Sequence, residues 1–258
     1  DIYKRIAAEA VKKGHLTVLE VVTAEKEALE KPFEPFLEQK TAGLILIGEL
    51  NELYIQAIRS TYDIPVVCVD YYDVYEDMDY IITDGFGGME QMTRFLLDQG
   101  FSDLMFVGTP DGTKNITDRY LGYCKALELA GEEEAQNNIL PDRDFSNGDY
   151  RIQFELPDKL PEAFVCNCDK TAEILLQKLK KREIHVPEDV SVVGFDNYNT
   201  RNLTPLKLTT YENDEKAIAQ ISVNTILKRI EGRKKPSGVR IVGGSIVLGN
   251  TVRRKGDL

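Results

Sequence analysis

Tryptophan is absent from this 258-residue sequence, histidine occurs twice (His15 and His185) and cysteine four times. Two histidines near the ends of helix-like segments leave little from which to build a metal centre, which needs clustered ligands. Four cysteines in a chain of this length make no disulfide framework and fit a reducing compartment. No apolar run approaches the roughly 18 residues that a membrane-spanning helix requires. The sequence opens directly on the helical pattern "DIYKRIAAEAVKKG", with no visible signal peptide, and the expected location is the cytoplasm. Positive charge is short too: 32 Lys and Arg stand against 43 Asp and Glu, a net charge of -11. A surface this acidic repels phosphate, so this polypeptide alone is expected to bind neither nucleic acid nor membrane. The motifs G-x-S-x-G, H-E-x-x-H and the P-loop do not occur. No catalytic residue, metal or cofactor is therefore expected, and the chain does not read as an enzyme.

What is present is an alternation of strand-like and helix-like segments. Residues 2–13 are helical and closed by Gly14, and "LTVLEVV" (16–22) is β-rich. Residues 25–39 are helix-like but interrupted by Pro32 and Pro35. Short continuous apolar runs, "GLILIG" (43–48), "PVVCVDYY" (65–72), "DLMFVG" (103–108), "EAFVCN" (162–167) and "VSVVGFD" (190–196), have the character of parallel strands buried on both faces. Helical patterns follow them, and residues 132–161 are polar and irregular. Such alternation predicts βαβ units and parallel sheet. About nine strands are too many for one small open sheet, so two lobes are expected. The first candidate crossover lies at 73–82. A single (β/α)₈ barrel is the rival architecture, which the irregular segment and the β-rich tail (239–252) fit poorly.

In open α/β sheets ligands sit beyond the carboxyl ends of strands. Residues that follow the predicted strands include Asp70 with Tyr71, then Asp84, then Asp118 and Arg119, then the segment "NCDK" with Cys168 and Asp169, and finally Asp196 with Asn197. Carboxylates accept protons from vicinal hydroxyls, an arginine donates a fork and aromatic rings cover apolar sugar faces. Each such Asp or Asn alone could be a turn former or helix cap. "GFGG" (85–88) precedes a helix but lacks the dinucleotide-binding spacing, and reads as tight-turn glycine or phosphate cradle. "FVCNCDK" (164–170) holds two cysteines spaced C-x-C. A metal clip would need two more ligands, and a redox pair favours C-x-x-C. The stretch reads as a strand running out to a pocket mouth, with Asp169 capping the next helix. Cys68 and Cys124 read as small core residues.

The block "VPEDVSVVGFDN" (186–197), followed by "TPLKLTTYENDEKAIAQISVNTILKRIEG" (204–232), resembles the effector-binding core of LacI/GalR-type (lactose-repressor family) transcriptional regulators. "DRYLGYCKALELAG" (118–131) carries the family's R-x-x-G-[YF] pattern at Arg119, Gly122 and Tyr123, and "ITDGFGGMEQMTRFLLDQG" (82–100) and "EAFVCNCDKTA" (162–172) stand in matching order. The resemblance implies an α/β, two-lobe, periplasmic-binding-protein-like fold, each lobe a mostly parallel sheet flanked by helices and the two joined by three crossovers. Residues 1–81 with 213–243 would form a dimerising N-terminal lobe, and 82–212 with 244–258 the other. The implied ligand is a sugar-like effector in the cleft between lobes, contacted by Asp196, Arg119, Asp70, Cys168, Asp169, Tyr150 and Tyr71. The implied activity is allosteric control of operator DNA through a helix-turn-helix headpiece that lies, with the first core strand, ahead of residue 1. The alternative is a solute-binding protein of a sugar ABC transporter. Two departures stand out: Cys168 replaces the family's usual Asn, and Gly249 stands where an Arg is usual.

Overall fold

The computed structural model describes residues 2–28, 41–73, 78–132, 136–145, 151–198, 205–233 and 237–253. The chain folds as two units, Asp1–Thr83 with Asp214–Val242, and Asp84–Asn213 with Gly243–Leu258, and passes between them three times. The first pass gives α1 (Ile2–Lys12), α2 (Ala24–Ala28), β1 (Leu44–Ile47), α3 (Glu52–Thr61), β2 (Val66–Val69) and β3 (Asp79–Thr83). The second unit follows with α4 (Gly85–Asp98), β4 (Leu104–Val107), α5 (Lys114–Ala130), β5 (Ile139–Leu140), β6 (Ala163–Cys166), α6 (Asp169–Lys181), β7 (Ser191–Asp196) and β8 (Thr209–Asn213). The chain returns to the first unit for α7 (Glu215–Ile230) and β9 (Gly238–Val242), and β10 (Gly244–Val247) rejoins the second.

Each unit is built on its own open sheet. In the first the order is β1-β2-β3-β9, every pair parallel. In the second it is β10-β8-β7-β6-β4-β5, parallel except where β10 runs against β8. Two open sheets replace the barrel considered from sequence. Alternation along each strand explains the continuous apolar runs. In β4 and β6, Leu104, Phe106, Ala163 and Val165 enter one core, while Phe164, Val107 and Cys166 enter the core on the opposite face. The first sheet divides the same way. Ile45, Val67, Val69 and Ile81 face α1 and α7, whereas Leu46, Cys68 and Tyr80 face α3. Burying both faces leaves no polar side to either strand row.

The "GFGG" stretch forms the first turn of α4. Asp84 caps it, accepting the Gly87 amide at 2.8 Å. A Cβ at Gly88 would come within 2.9 Å of the Phe195 and Tyr211 rings, so the glycine lets the helix lie on the sheet. Gly249 has a similar reason: a Cβ there would stand 1.9 Å from the Lys207 carbonyl oxygen. An arginine at 249 cannot fit this backbone, which accounts for that departure.

One expected strand is not formed. Residues 16–22 pair with no described strand, and Leu16, Val18, Leu19 and Val21 are exposed. β propensity needs a ladder to act on, and edge strand β1 pairs only with β2 among the described residues. The proline-interrupted segment shows α2 over Ala24–Ala28, and 29–40 lies outside the described residues.

Candidate functional site

The parallel strands of the second unit share one direction, so the residues after β4, β5, β6 and β7 collect at one end of that sheet. β7 ends on Asp196, whose backbone has φ 104°, followed by Asn197 at φ 49°. Such angles are costly for residues with a Cβ and persist where surroundings enforce them, often at binding sites. Here the enforcement is visible. Arg119, from the second turn of α5, sets its Nη2 2.8 Å from Asp196 Oδ1 and its Nη1 3.4 Å from Oδ2. Nη1 also donates to the Asn167 carbonyl at 2.7 Å, and the guanidinium lies 4.2 Å from the centre of the Phe195 ring. Asn213, at the end of β8, donates to Asp196 Oδ1 at 3.0 Å. The arginine side chain is 8% exposed and the aspartate 32%, so the carboxylate is the open end of the pair.

Beside it, β6 runs into Asn167, Cys168 and Asp169. Asn167 is buried: its Nδ2 donates to the Val107 carbonyl and to Asp142 Oδ2, both at 2.8 Å. Asp142, fully buried, also accepts the Thr171 hydroxyl at 2.6 Å. Asn167 therefore braces the strand ends. Cys168 is the N-cap of α6, makes no side-chain capping bond and is half-buried. Its Sγ lies 3.3 Å from Thr171 Oγ1 and 3.5 Å from Arg143 Nη2. Asp169 is not the cap expected from sequence. It is the first helical residue, 1% exposed, and its two oxygens accept the Tyr198 amide at 2.7 Å and the Thr210 hydroxyl at 2.6 Å. Burial pushes its carboxyl up to about 7, against the pull of those donors, with Asp196 nearby adding to the rise.

The remaining expected contacts fare differently. Asp70 directly follows β2 in the first unit and has φ 62°. That left-handed turn breaks the strand alternation, so Tyr71 joins Cys68 in the α3-side core where alternation would have placed it with Val67 and Val69 on the other face. Tyr71 is 5% exposed, meets Tyr80 edge-on and donates to Asp73 at 2.5 Å. The ring thus belongs to the core of the first unit. Tyr72, beside it, is half-buried. Tyr150 lies outside the described residues. Sequence reading missed Arg143, Asn213 and Thr210, which stand after β5, at the end of β8 and within β8. β5 has two residues, too few to show a period. Among the described residues no group of three His, Cys, Asp or Glu could hold a metal, and no helix is long and apolar enough to cross a membrane.

The family described as periplasmic binding protein-like domain matches residues 93–252. The HTH-type transcriptional repressor PurR of Glaesserella parasuis is 24% identical over 237 residues, covering 90% of this chain and 68% of that protein. PurR of Salmonella paratyphi B is 26% identical over 242 residues, covering 92% and 71%. A LacI family transcriptional regulator from Enterococcus faecium with bound ribose superposes with a TM-score of 0.81 at 21% identity, over 98% of this chain and 93% of that one. A complex of the transcriptional regulator CelR with cellobiose gives 0.80 at 19%, over 97% and 77%. At such identity the structural likeness is one of fold. These relatives are transcriptional regulators. With the family match spanning most of its length, the chain belongs to the periplasmic-binding-protein-like domain family, as an effector-binding core of the LacI/GalR type.

Proposed function

We propose that this chain is the ligand-sensing part of a cytoplasmic transcriptional regulator, and that its effector is a hydroxylated small molecule, a sugar or sugar derivative, held at the strand-carboxyl end of the second unit. The observation that carries the reading is the Arg119–Asp196 fork on strained backbone at the end of β7. Asp196 accepts ligand hydroxyl protons, and Arg119 fixes that carboxylate in place while offering its own donors. Asp70, at the corresponding end of β2, is a candidate contact from the first unit. Cys168 stands on the same face of the second unit, and Asp169 acts behind it as a brace for Tyr198 and Thr210. Nothing in this arrangement calls for catalysis. The relatives with ribose and with cellobiose support a sugar-like ligand, and the PurR relatives support coupling to operator DNA. That coupling would run through a headpiece outside this sequence, in a homodimer formed through the first unit, as a shift between two populated states.

The test is a thermal-shift screen of neutral and acidic monosaccharides on the parent, Asp196→Asn and Arg119→Lys. Lysine keeps the charge but cannot fork. A bound ligand raises the melting temperature by mass action. The expected result is a ligand whose shift disappears in both variants while their circular dichroism stays that of the parent. Undiminished binding by both variants would remove the pair from the site. Sedimentation velocity that gives a monomer at every concentration would overturn the homodimer.

A further inference from the structure

Arg143 is a charged residue on this face whose guanidinium reaches no oxygen of the described residues closer than 3.5 Å. Its backbone is fixed. The amide donates to Thr109 Oγ1 at 3.1 Å, and the same hydroxyl donates to the Arg143 carbonyl at 2.8 Å. The preceding residue, Asp142, is wholly buried. So the side chain starts from a rigid point at the carboxyl end of β5, on the same sheet end as Asp196. The side chain is 15% exposed. Its Nη2 makes three contacts, to Cys168 Sγ, Thr171 Oγ1 and Asp142 Oδ2, each at 3.5 Å. A charge-assisted N–H···O bond closes to about 2.7–2.9 Å, so neither oxygen contact is a full bond, and the thiol is only a weak acceptor. Asp142 Oδ2 is already occupied by Thr171 at 2.6 Å and Asn167 at 2.8 Å. Nε and Nη1 have no acceptor among the described residues. Contrast Arg119, whose two terminal nitrogens reach acceptors at 2.7 and 2.8 Å.

A rigidly mounted guanidinium with unused donors, at the same sheet end as the open carboxylate of Asp196, is incomplete without an outside acceptor. The thiol of Cys168 is too short and too weak an acceptor to supply it. We propose that Arg143 selects an acidic effector, its donors taking a phosphate monoester or a carboxylate carried on the hydroxylated ligand. The inference rests on the reading of the Arg119–Asp196 end as the effector site and names the class of molecule that site takes. Asp196 holds the hydroxylated part and Arg143 the anionic group. An acidic ligand would otherwise be repelled by a chain with a net charge of -11, so a cation on the binding face has a reason to be there.

Isothermal titration with matched probes tests it: glucose, glucose 6-phosphate and glucuronate, and ribose with ribose 5-phosphate, on the parent, Arg143→Gln, Arg143→Lys and Arg119→Lys. The expected outcome is that an acidic probe binds the parent tighter than its neutral counterpart. Arg143→Gln should lose roughly ten- to a hundredfold in Kd for that probe, the worth of a hydrogen bond to a charged group, with the neutral sugar unaffected. Arg143→Lys should recover part of the loss. Circular dichroism and the melting temperature without ligand check that the variants fold. A neutral sugar that binds as tightly as its acid, through Arg119 and without regard to Arg143, overturns the acidic effector and leaves the site standing. If acid and neutral probes alike bind with no dependence on Arg119, or none binds, the site itself is misplaced and this inference falls with it.

Discussion

Arg119 and Asp196, 77 positions apart in sequence, meet as a fork on a carboxylate at 2.8 and 3.4 Å. Each answers a problem the other has. The guanidinium is almost wholly buried and needs a counter-charge; the carboxylate sits on backbone at φ 104° and needs a reason to stay there. The Phe195 ring beneath the guanidinium and the Asn167 carbonyl beside it complete the socket. The pair thus belongs to the fold of the second unit as much as to any ligand, and its loss has a cost in stability.

Asp196→Ala therefore lowers the stability of the domain as well as removing a ligand contact. It leaves a buried guanidinium without its counter-charge and puts a Cβ without a polar group on a positive φ. The expected loss is about 1–3 kcal/mol, below that of a fully buried pair because the carboxylate is partly solvated. Asp196→Asn keeps an acceptor and tolerates positive φ, so its loss is smaller. Urea midpoints measure both. An alanine variant that unfolds at the parent's midpoint would show that the pair contributes nothing to folding.

Legibility in the sequence followed how local the cause was. The buried parallel strands were plain, because burial on both faces writes a continuous apolar run: "DLMFVG" became β4, "EAFVCN" β6 and "VSVVGFD" β7. Asp196 could be named because it ends such a run, and Arg119 because it stands in the second turn of the helix that follows the loop after another. Residues 16–22 misled, as their β-rich composition says nothing of whether a neighbouring strand exists. The burial of Tyr71 was not legible, because one left-handed residue, Asp70, reverses which face the next side chain takes. Arg143 stayed hidden behind a strand of two residues. Asp169 was expected as a cap, where its carboxylate would turn back on its own helix. It turns instead to Thr210 and Tyr198, long-range partners that no local pattern could announce.

Cys168→Asn raises the stability of the domain. α3, α4, α5 and α7 each begin with a side chain that accepts an amide of the first turn, from Asn51, Asp84, Thr113 and Asp214. α6 begins with Cys168, which makes no such bond, on backbone at φ -153° and ψ 162° that suits a cap. Asparagine is among the best N-caps, worth about 0.5–2 kcal/mol over a residue that cannot accept. Thermal unfolding without ligand checks this, and a melting temperature at or below the parent's would show that the cysteine's contacts with Thr171 and Arg143 outweigh the missing cap.

The last prediction concerns pH. Burial raises the carboxyl of Asp169 from 3.8, its value in an unfolded chain, to about 7 in the folded one. Between those values the folded state binds more protons than the unfolded state, so stability falls as pH rises through the window and is recovered on acidification. The groups that face this carboxyl are the Thr210 hydroxyl, the Tyr198 amide, the negative Asp196 and the positive Arg119. Other carboxylates tilt the opposite way at lower pH: Glu162, held down by the Ser102 amide, and Asp189, held down by the His185 amide, lose favourable bonds on protonation. The whole-domain profile mixes these slopes, so the informative quantity is a difference. Asp169→Asn cannot titrate, and its asparagine can still accept the Tyr198 amide. Unfolding free energies of parent and variant, measured by urea from pH 5 to 8, are expected to diverge. The parent should lose stability relative to the variant with rising pH, the slope approaching about 1.4 kcal/mol per pH unit below 7 and flattening above it. A difference that stays constant across that range would mean Asp169 is ionised throughout, its two short hydrogen bonds and Arg119 outweighing its burial.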